Sequence, residues 1–555
     1  MANSKYEYVK SFEVEDEIML PNIIIVRVDG RDFRRFSEVH EFEKPNDKKA
    51  LELLNECAKA VLEQFPDIIF SYGFSDEYSF GTNERVDLIF KEFSRQASYV
   101  AETSDKISIS IIMLLMNQDT LLIVSFFTSC YVTKWKALFP QKDLRYAPSL
   151  RSRVICCASV EVLQAYLVWR QYECHLNNQY DTCLWKLIQS GKSQKEAEEI
   201  LKGSQKQDRN ELLYQCFNIN YKKDIPEIFR QGTCTLKTEV EDIVKYKDDG
   251  CPVKRLRRKV ITVHSENIAS RRFWNDQLCL PKELGPFTED LNKTMPEYLK
   301  SFQYENKLMP CTWIVIRIDG CHFHRFSEVH EFEKPNDAQA LNLMNSCAAG
   351  VLEEFRDIVF AYGVSDEYSF VLKKESQLYR RHTSEIVSAV VSFFSSMYAM
   401  KWNEFFPHKE MKYPPYFDGR AVCYPSCEIL LDYLAWRQVD CHINNQYNSC
   451  FWMLVKSGKS KSAAQQYLKG FCFLKLGDGV IRYKMALWIL KEDIQDEPFE
   501  NEGTQAQEKN ELLDQLSGTI DYYNKLPLMF RQGSSVYWDK VISFLLSHPT
   551  TKSIT

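Results

Sequence analysis

The sequence predicts an α+β chain built of two tandem ferredoxin-like domains, each an antiparallel sheet with helices packed on it. Two observations carry this. FSEVHEFEKPND at 36–47 returns unchanged at 326–337, and SDEYSF at 75–80 returns at 365–370, both at an offset of 290 residues. Each copy also opens in the order β-α-β-β, the beginning of a split βαβ unit. The shared blocks are rich in Asp, Glu, Lys, Asn and Ser. A repeat that only rebuilt a core would match in its apolar positions instead, so a functional domain has been duplicated. At 555 residues the chain exceeds a single core, since domains run to roughly 100–200 residues.

The elements follow in order. IIIVRVDG at 23–30 is an apolar run with strand character. Leu51, Leu54, Ala58, Val61, Leu62 and Phe65 fall at helical spacing over 48–65, and Pro66 ends that helix. DIIFSYG at 67–73 and EYSFGT at 77–82 then read as two strands of a hairpin turning at Phe74-Ser75-Asp76. The second copy repeats this with TWIVIRIDG at 312–320, a helix over 338–355, and DIVFAYG and EYSFVL around Val364-Ser365-Asp366. Long helices follow at 159–180 and 426–447, then NELL at 210–213 and 510–513, then FRQG at 229–232 and 530–533. The first copy is expected to span 1–280 and the second 301–555, joined by a Pro-, Gly- and charge-rich linker at 281–300.

The offset is not constant. WRQ at 169–171 matches WRQ at 436–438 at an offset of 267, so the first copy carries 23 extra residues, expected near 101–123. NELL matches at an offset of 300, so the second copy carries 33 extra residues, expected near 471–503. The second copy also ends soon after its FRQG and has no counterpart of VITVHSENIASRRFWND at 260–276. The stretch 107–127 is strongly apolar but broken by Asn117, Gln118 and Asp119, which argues for an insertion rather than a membrane anchor.

Composition is that of a globular protein, 45% hydrophobic and 26% charged, with a net charge of −6. That excludes coating of nucleic acid by bulk charge, though not a local basic surface. The strongest basic run, KRLRRK at 254–259, reads either as a solvated loop between strands or as an RNA contact or import signal. The start of the chain has no apolar leader core, so its 18 Cys are expected reduced, in a nuclear or cytoplasmic setting. No Cys and His stand at zinc spacing.

Asp29 ends the first strand and Asp76 sits at a hairpin tip. First and third strands of a ferredoxin-like sheet are neighbours, so the two carboxylates converge and need a cation between them. Mg²⁺ suits such a site, being a hard ion that takes one or two carboxylates plus substrate phosphates. Gly30 leaves room for close approach. This is the layout of a two-metal nucleotidyl-transfer palm; the bland alternative, Asp in a turn, weakens because the pair occurs twice. Asn46 or Asp47 would cap the next helix, and Lys44 and Asn46 also suit substrate. His175 and Asn178 lie one helical turn apart, either as a core network or facing a triphosphate or an RNA end.

At these residues the chain resembles tRNA-His guanylyltransferases in their tandem plant form. The motifs are RVDGRDF, HEFEKPND, YGFSDEYSF, WRQYECHLNN and NELL in the first copy, and RIDGCHFHRF, HEFEKPND, YGVSDEYSF, YPPYFDGRAVCYPS, WRQVDCHINN and EKNELL in the second. The resemblance implies a polymerase-like palm working in the 3′–5′ direction, adding a guanosine to the 5′ end of tRNA-His. ATP first activates the 5′-phosphate, and GTP is then added. Two Mg²⁺ per active palm are implied, with Asp29, Gly30 and Asp76, and Asp319, Gly320 and Asp366, as ligands. Glu77 and Glu367 join these carboxylates as catalytic positions. Implied nucleotide contacts are Asp29, Gly30, Arg31, Asp32, Phe33, Arg34 and Ser75, and Asp319, Gly320, Cys321, His322, Phe323, His324 and Ser365. Further implied positions are Lys44, Asn46, His175 and Asn220, and Lys334, Asn336, Arg420, His442 and Lys509. The implied partners are tRNA-His, GTP, ATP and further palms in a tetramer-like assembly, with no membrane.

The copies depart from one another. Arg34 stands where the second copy has His324, Arg209 where it has Lys509, and Arg151-Ser152-Arg153 where it has Asp418-Gly419-Arg420. Arg is not interchangeable with His or Lys at a phosphate. The second copy is therefore expected to do most of the chemistry. Two competing readings are a palm-type nucleotide cyclase, in which the HINN and NELL blocks would have no role, and a tRNA-binding or regulatory protein silenced by the two insertions.

Overall fold

The computed structural model describes residues 6–13, 23–82, 105–246, 252–265, 267–277, 279–287, 303, 306–471 and 534–536, with side chains left aside at 105–119 and a few other positions. In the first copy, β1 (Ile23–Gly30) leads through α1 (Phe33–Val39) and α2 (Lys48–Gln64) to the hairpin of β2 (Ile68–Phe74) and β3 (Glu77–Thr82). The long α3 (Asp105–Leu138) crosses back to β4 (Leu150–Cys157). Then come α4 (Val160–Gln189), α5 (Gln194–Leu201), α6 (Lys206–Phe217), the single turns α7 (Tyr221–Asp224) and α8 (Glu227–Arg230), and the ribbon of β5 (Thr233–Tyr246) and β6 (Pro252–Val263). Two short helices, α9 (Arg271–Asp276) and α10 (Cys279–Leu284), follow.

The second copy repeats β7 (Trp313–Gly320), α11 (Phe323–Val329), α12 (Ala338–Glu354), β8 (Ile358–Val364) and β9 (Glu367–Leu372). It continues with α13 (Thr383–Phe405), β10 (Phe417–Tyr424), α14 (Cys427–Lys456), α15 (Lys461–Phe471) and β11 (Ser534–Val536). The sheets run β4-β1-β3-β2-β5-β6 and β10-β7-β9-β8-β11. All described pairings are antiparallel. The β4-β1-β3-β2 core of the first sheet is the ferredoxin-like order the sequence predicts.

Several local expectations need correcting. The KRLRRK run at 254–259 is not a loop; it lies within β6, at the sheet edge, where Arg258 stands opposite Glu239 and Arg255 opposite Asp242. Cross-strand acids thus offset much of its charge. The hairpin tip is tighter than read, since β2 runs through Phe74, leaving Ser75 and Asp76, with Ser75 at φ 51°. Residues 120–123, expected within the insertion, belong to the crossover helix. Leu121, Leu122 and Ile123 are buried, and the helix matches α13 at the offset of 267, so the extra residues lie upstream. No helix among the described residues is long and apolar enough to cross a membrane. Residues 472–503 of the insertion expected near 471–503, the second NELL and FRQG blocks, Lys509 and most of the linker lie outside the described residues, as does the side chain of His442.

The two copies pack on each other about a local two-fold. Ser125 Oγ on α3 accepts from the backbone N–H of Phe417 at 2.7 Å, and Ser392 Oγ on α13 accepts from that of Leu150 at 2.9 Å. These contacts are equivalent at the offset of 267. The serines are buried yet satisfied, because the outer edges of β4 and β10 present free N–H groups to them. Apolar packing is shared too: Leu121 and Ala147 enter the core of the second copy, and Tyr416 enters that of the first. The first-copy arm Glu7–Phe12, a 3₁₀ helix, lies on the second copy, with Val9 in its core and Glu13 paired to Arg317 at 2.8 Å and Arg420 at 3.2 Å.

Replacing either interface serine by a shape-matched Val leaves a strand N–H buried without an acceptor, at a cost of about 1–3 kcal/mol. Ser125→Val and Ser392→Val are expected to lower stability in chemical denaturation by similar amounts. A null effect of either would refute the reciprocal contact.

Candidate active site

The carboxylates converge through strand register. In the first copy Asp29 is opposite Glu77 on β3 and opposite Arg151 on β4. In the second, Asp319 is opposite Glu367 on β9 and Asp418 on β10. The hairpin is tied to the end of the first strand: Gly30 N–H donates to the Asp76 carbonyl at 3.2 Å, and Gly320 N–H to that of Asp366 at 3.1 Å. A Cβ on Gly30 would come within 2.8 Å of Asp76 Oδ2 and 2.6 Å of Phe33, so only glycine fits there.

The electrostatics of the two sites differ. In the first copy Arg151 Nη2 donates to Asp29 Oδ2 at 2.6 Å, leaving Asp29 Oδ1 buried without a partner. Asp76 is pushed up to about 6, chiefly by burial and then by Asp29 and Glu77. In the second copy Asp418 stands where Arg151 would. Burial, then Asp366, Asp418 and Glu367, raise Asp319 well above the usual carboxylate range. Burial likewise raises Asp366 and Asp418. Among the described residues no Lys, Arg or His makes an ion pair with these three carboxylates.

The remaining predicted residues divide. Glu77 and Glu367 are held by arginines: Glu77 lies between Arg27 and Arg170, the latter at 2.6 Å, and Glu367 pairs with Arg437 at 2.8 Å and Arg317 at 3.8 Å. Phe33 and Phe323 stack on Phe36 and Phe326 in the cores. Asp32 and His322 open α1 and α11 with φ of 52° and 54°. Arg31 reaches across to Glu354 of the second copy at 2.6 Å, and Arg34 pairs with Glu38 at 3.3 Å. His324 and Lys334 bear electrostatically on Asp366. Lys44 and Lys334 each donate to a serine, Ser37 and Ser327, at 2.6 Å. Arg420 is engaged by Glu13.

The helix cap is Asp47, whose carboxylate accepts from Ala50 N–H at 3.0 Å. Asn46 is thereby freed to accept from Asn178 at 2.7 Å, and Asn178 accepts from Tyr221 at 3.0 Å. In the second copy the same pair is joined with Asn336 donating to Asn445 at 3.1 Å. His175 borders a cleft of about 660 Å³ with Lys206, Asn220, Arg230, Tyr172 and Tyr214. Burial, then Lys206 and Arg230, lower His175 to about 4, so it is a neutral ring. Asn220 caps α7 by accepting from Lys223 N–H. Arg209 points away from the cleft, onto the carbonyls of Ser204 and Leu176.

Sequence reasoning saw that Arg151 and Asp418 differ but missed that they face Asp29 and Asp319. Counting antiparallel register back from the paired strands would have found it.

No set of three or more His, Cys, Asp or Glu side chains among the described residues forms a ready-made metal centre. A hard ion that keeps several waters and takes few carboxylates needs none. The second copy fits such an ion, with convergent acids that raise one another and no ion-pair partner among the described residues. The first does not, because a guanidinium already lies on Asp29.

The raised Asp319 and Asp366 carry a sign. The fold keeps protons that the unfolded chain releases above pH about 4, so stability falls as pH rises from there through the raised values. In divalent-free buffer, Asp319→Asn is expected to match the wild type near pH 5 and to unfold at a higher temperature near pH 8. A difference that does not grow with pH would refute the mutual repulsion.

The sequence matches known proteins along most of its length. The family described as tRNAHis guanylyltransferase matches residues 6–158 and 296–425, and its C-terminal domain matches 161–272 and 428–474. The chain is 61% identical to tRNA(His) guanylyltransferase 1 of Arabidopsis thaliana over 97% of this chain and 84% of that one. It is 59% identical to tRNA(His) guanylyltransferase 2 of the same plant over 97% and 91%. The crystal structure of the Saccharomyces cerevisiae tRNA(His) guanylyltransferase aligns with a TM-score of 0.34 at 36% identity, covering 44% of this chain and 92% of that one. The chain belongs to the tRNA(His) guanylyltransferase family.

Proposed function

We propose that the chain adds a guanosine to the 5′ end of tRNA-His by 3′–5′ nucleotidyl transfer, and that its second palm carries the chemistry. Family membership supports the reaction. The observation that carries the choice of palm is the trio Asp319, Asp366 and Asp418, gathered at one strand end and without an ion-pair partner among the described residues.

The chemistry balances in three steps. A 5′-phosphate oxygen attacks the α-phosphorus of ATP and releases pyrophosphate. The 3′-hydroxyl of GTP then attacks the activated 5′-phosphorus and releases AMP. Hydrolysis finally removes pyrophosphate from the added nucleotide.

Asp319, the Gly320 carbonyl and Asp366 would hold Mg²⁺, which when bound stabilises charge on attacking and leaving oxygens. Asp418 adds negative charge that strengthens the demand for a cation. Lys334, on the loop between α11 and α12, supplies positive charge toward phosphate oxygens, and His324, in the first turn of α11, offers a ring nitrogen beside Asp366. Gly320 keeps the strand end open where the nucleotide must approach. Glu367, clamped by Arg437 and Arg317, holds the base of the hairpin that positions Asp366. Asn336, fixed by Asn445, orients the loop that bears Lys334. The activity is placed in the nucleus, the cytoplasm or both. Because one chain already pairs two palms, two chains would give a tetramer-like set.

The test is incubation of the full chain with 5′-phosphorylated tRNA-His lacking its extra guanosine, ATP, labelled GTP and Mg²⁺. Mg²⁺-dependent label at the 5′ end is expected, and Asp319→Ala is expected to abolish it. Label lost in Asp29→Ala and kept in Asp319→Ala would overturn the assignment to the second palm.

A further inference from the structure

We propose that Arg151 has converted the first palm's cation site into a latch between the two copies, so that this palm takes no divalent ion. The inference deepens the reading above and rests on it for the identity of the second palm as the metal-binding one.

The guanidinium lies 2.6 Å from Asp29 Oδ2 and 3.6 Å from Glu385 of the second copy, with its centre 5.5 Å from the Tyr379 ring. Arg153, two residues on along β4, meets the same Glu385 at 3.1 Å. Arg31, on the loop after Asp29, extends the contact: it pairs with Glu354 at 2.6 Å and stacks on Phe355 at 4.6 Å. Arg31 and Arg151 both follow from the strand ends that would hold nucleotide and metal, and both reach into the second copy. The second copy carries Cys321 and Asp418 at the corresponding positions, so it cannot build the same contacts.

Charge explains the consequence. Replacing Asp by Arg changes the site by two units, from excess negative to near balance. Arginine does not lose its proton in proteins, so the occupancy is permanent. Asp29 Oδ1 stays free, but a divalent ion bound there would stand next to a fixed positive charge in a buried site. The ionic contact is also shared between copies, so one side chain both fills the cation position and ties the palms together.

The test is Mn²⁺ titration of the full-length chain followed by electron paramagnetic resonance, with thermal unfolding in parallel and no nucleotide present. Wild-type Mn²⁺ binding is expected to vanish in Asp319→Asn. Adding Arg151→Asp to that variant is expected to create Mn²⁺ binding anew and to lower the unfolding temperature. Mn²⁺ binding that survives Asp319→Asn and disappears only when Asp29→Asn is added would overturn the proposal while leaving the transferase reading intact. A wild type that binds no Mn²⁺, with Arg151→Asp gaining it, would instead sink the metal-binding reading of the second palm and leave the latch standing. Folded Arg151→Asp with no gain overturns the proposal. Where that variant fails to fold, Arg151→Gln and the pair of Asp→Asn variants decide it.

Discussion

The antiparallel register of the first strand with the fourth governs what each palm can be. In this pairing the residue across from the strand-end aspartate is its nearest cross-strand neighbour, on the same face. Opposite charges there attract and like charges repel. The first copy sets Arg151 against Asp29, and the second sets Asp418 against Asp319. One site is neutralised from within the protein; the other keeps a cluster of acids whose burial raises them and whose relief must come from outside. The hairpin contacts at Gly30 and Gly320 and the clamped glutamates are the same in both copies, so this position, with Arg31 and Arg34 where the second copy has Cys321 and His324, separates the two sites.

The two copies are also tied together by packing, whatever chemistry each performs. The outer edges of β4 and β10 each end on serines of the opposing crossover helix, and each hydrophobic core takes side chains from the other copy. Remove the first copy and the second exposes a strand edge, the α13 face and the surface on which the arm of Glu7–Phe12 lies. The first copy thus covers surface that the second would otherwise expose. Ion pairs at Arg151, Arg153 and Arg31 add charge complementarity to that interface, and they are buried enough for their partners to matter.

The sequence shows most of the sheet and only part of the site, for physical reasons. The strands at 23–30 and 77–82 are legible because a run of β-branched and aromatic residues ends at a turn signal. The crossover helices α3 and α13 were hidden because they are buried on nearly all sides: serines fill their interface positions and erase the amphipathic period. KRLRRK looked like a loop because every other residue of an exposed edge strand can be charged, and alternation with Leu256 and Val260 is too sparse to read. The capping choice between Asn46 and Asp47 was undecidable in sequence, since both types cap well; it is settled by Asn178, which lies 132 residues away. Arg151 was visible as a departure between the copies, but its partner depends on register, which no local pattern states.

The same substitution would let the first palm fold without a metal. A buried cluster of acids is costly unless a cation compensates it, so a palm with Asp at this position would be more stable metal-loaded than empty. Arginine removes that dependence: the fold of the first copy no longer rises and falls with the supply of divalent ions. The rest of its site has not eroded to match. Asn46, Asn178 and Tyr221 remain joined, and His175 still borders an open cleft with Lys206 and Arg230. The first copy thus combines a different charge at this strand position, and at Arg31 and Arg34, with the polar framework of Asn46, Asn178 and Tyr221.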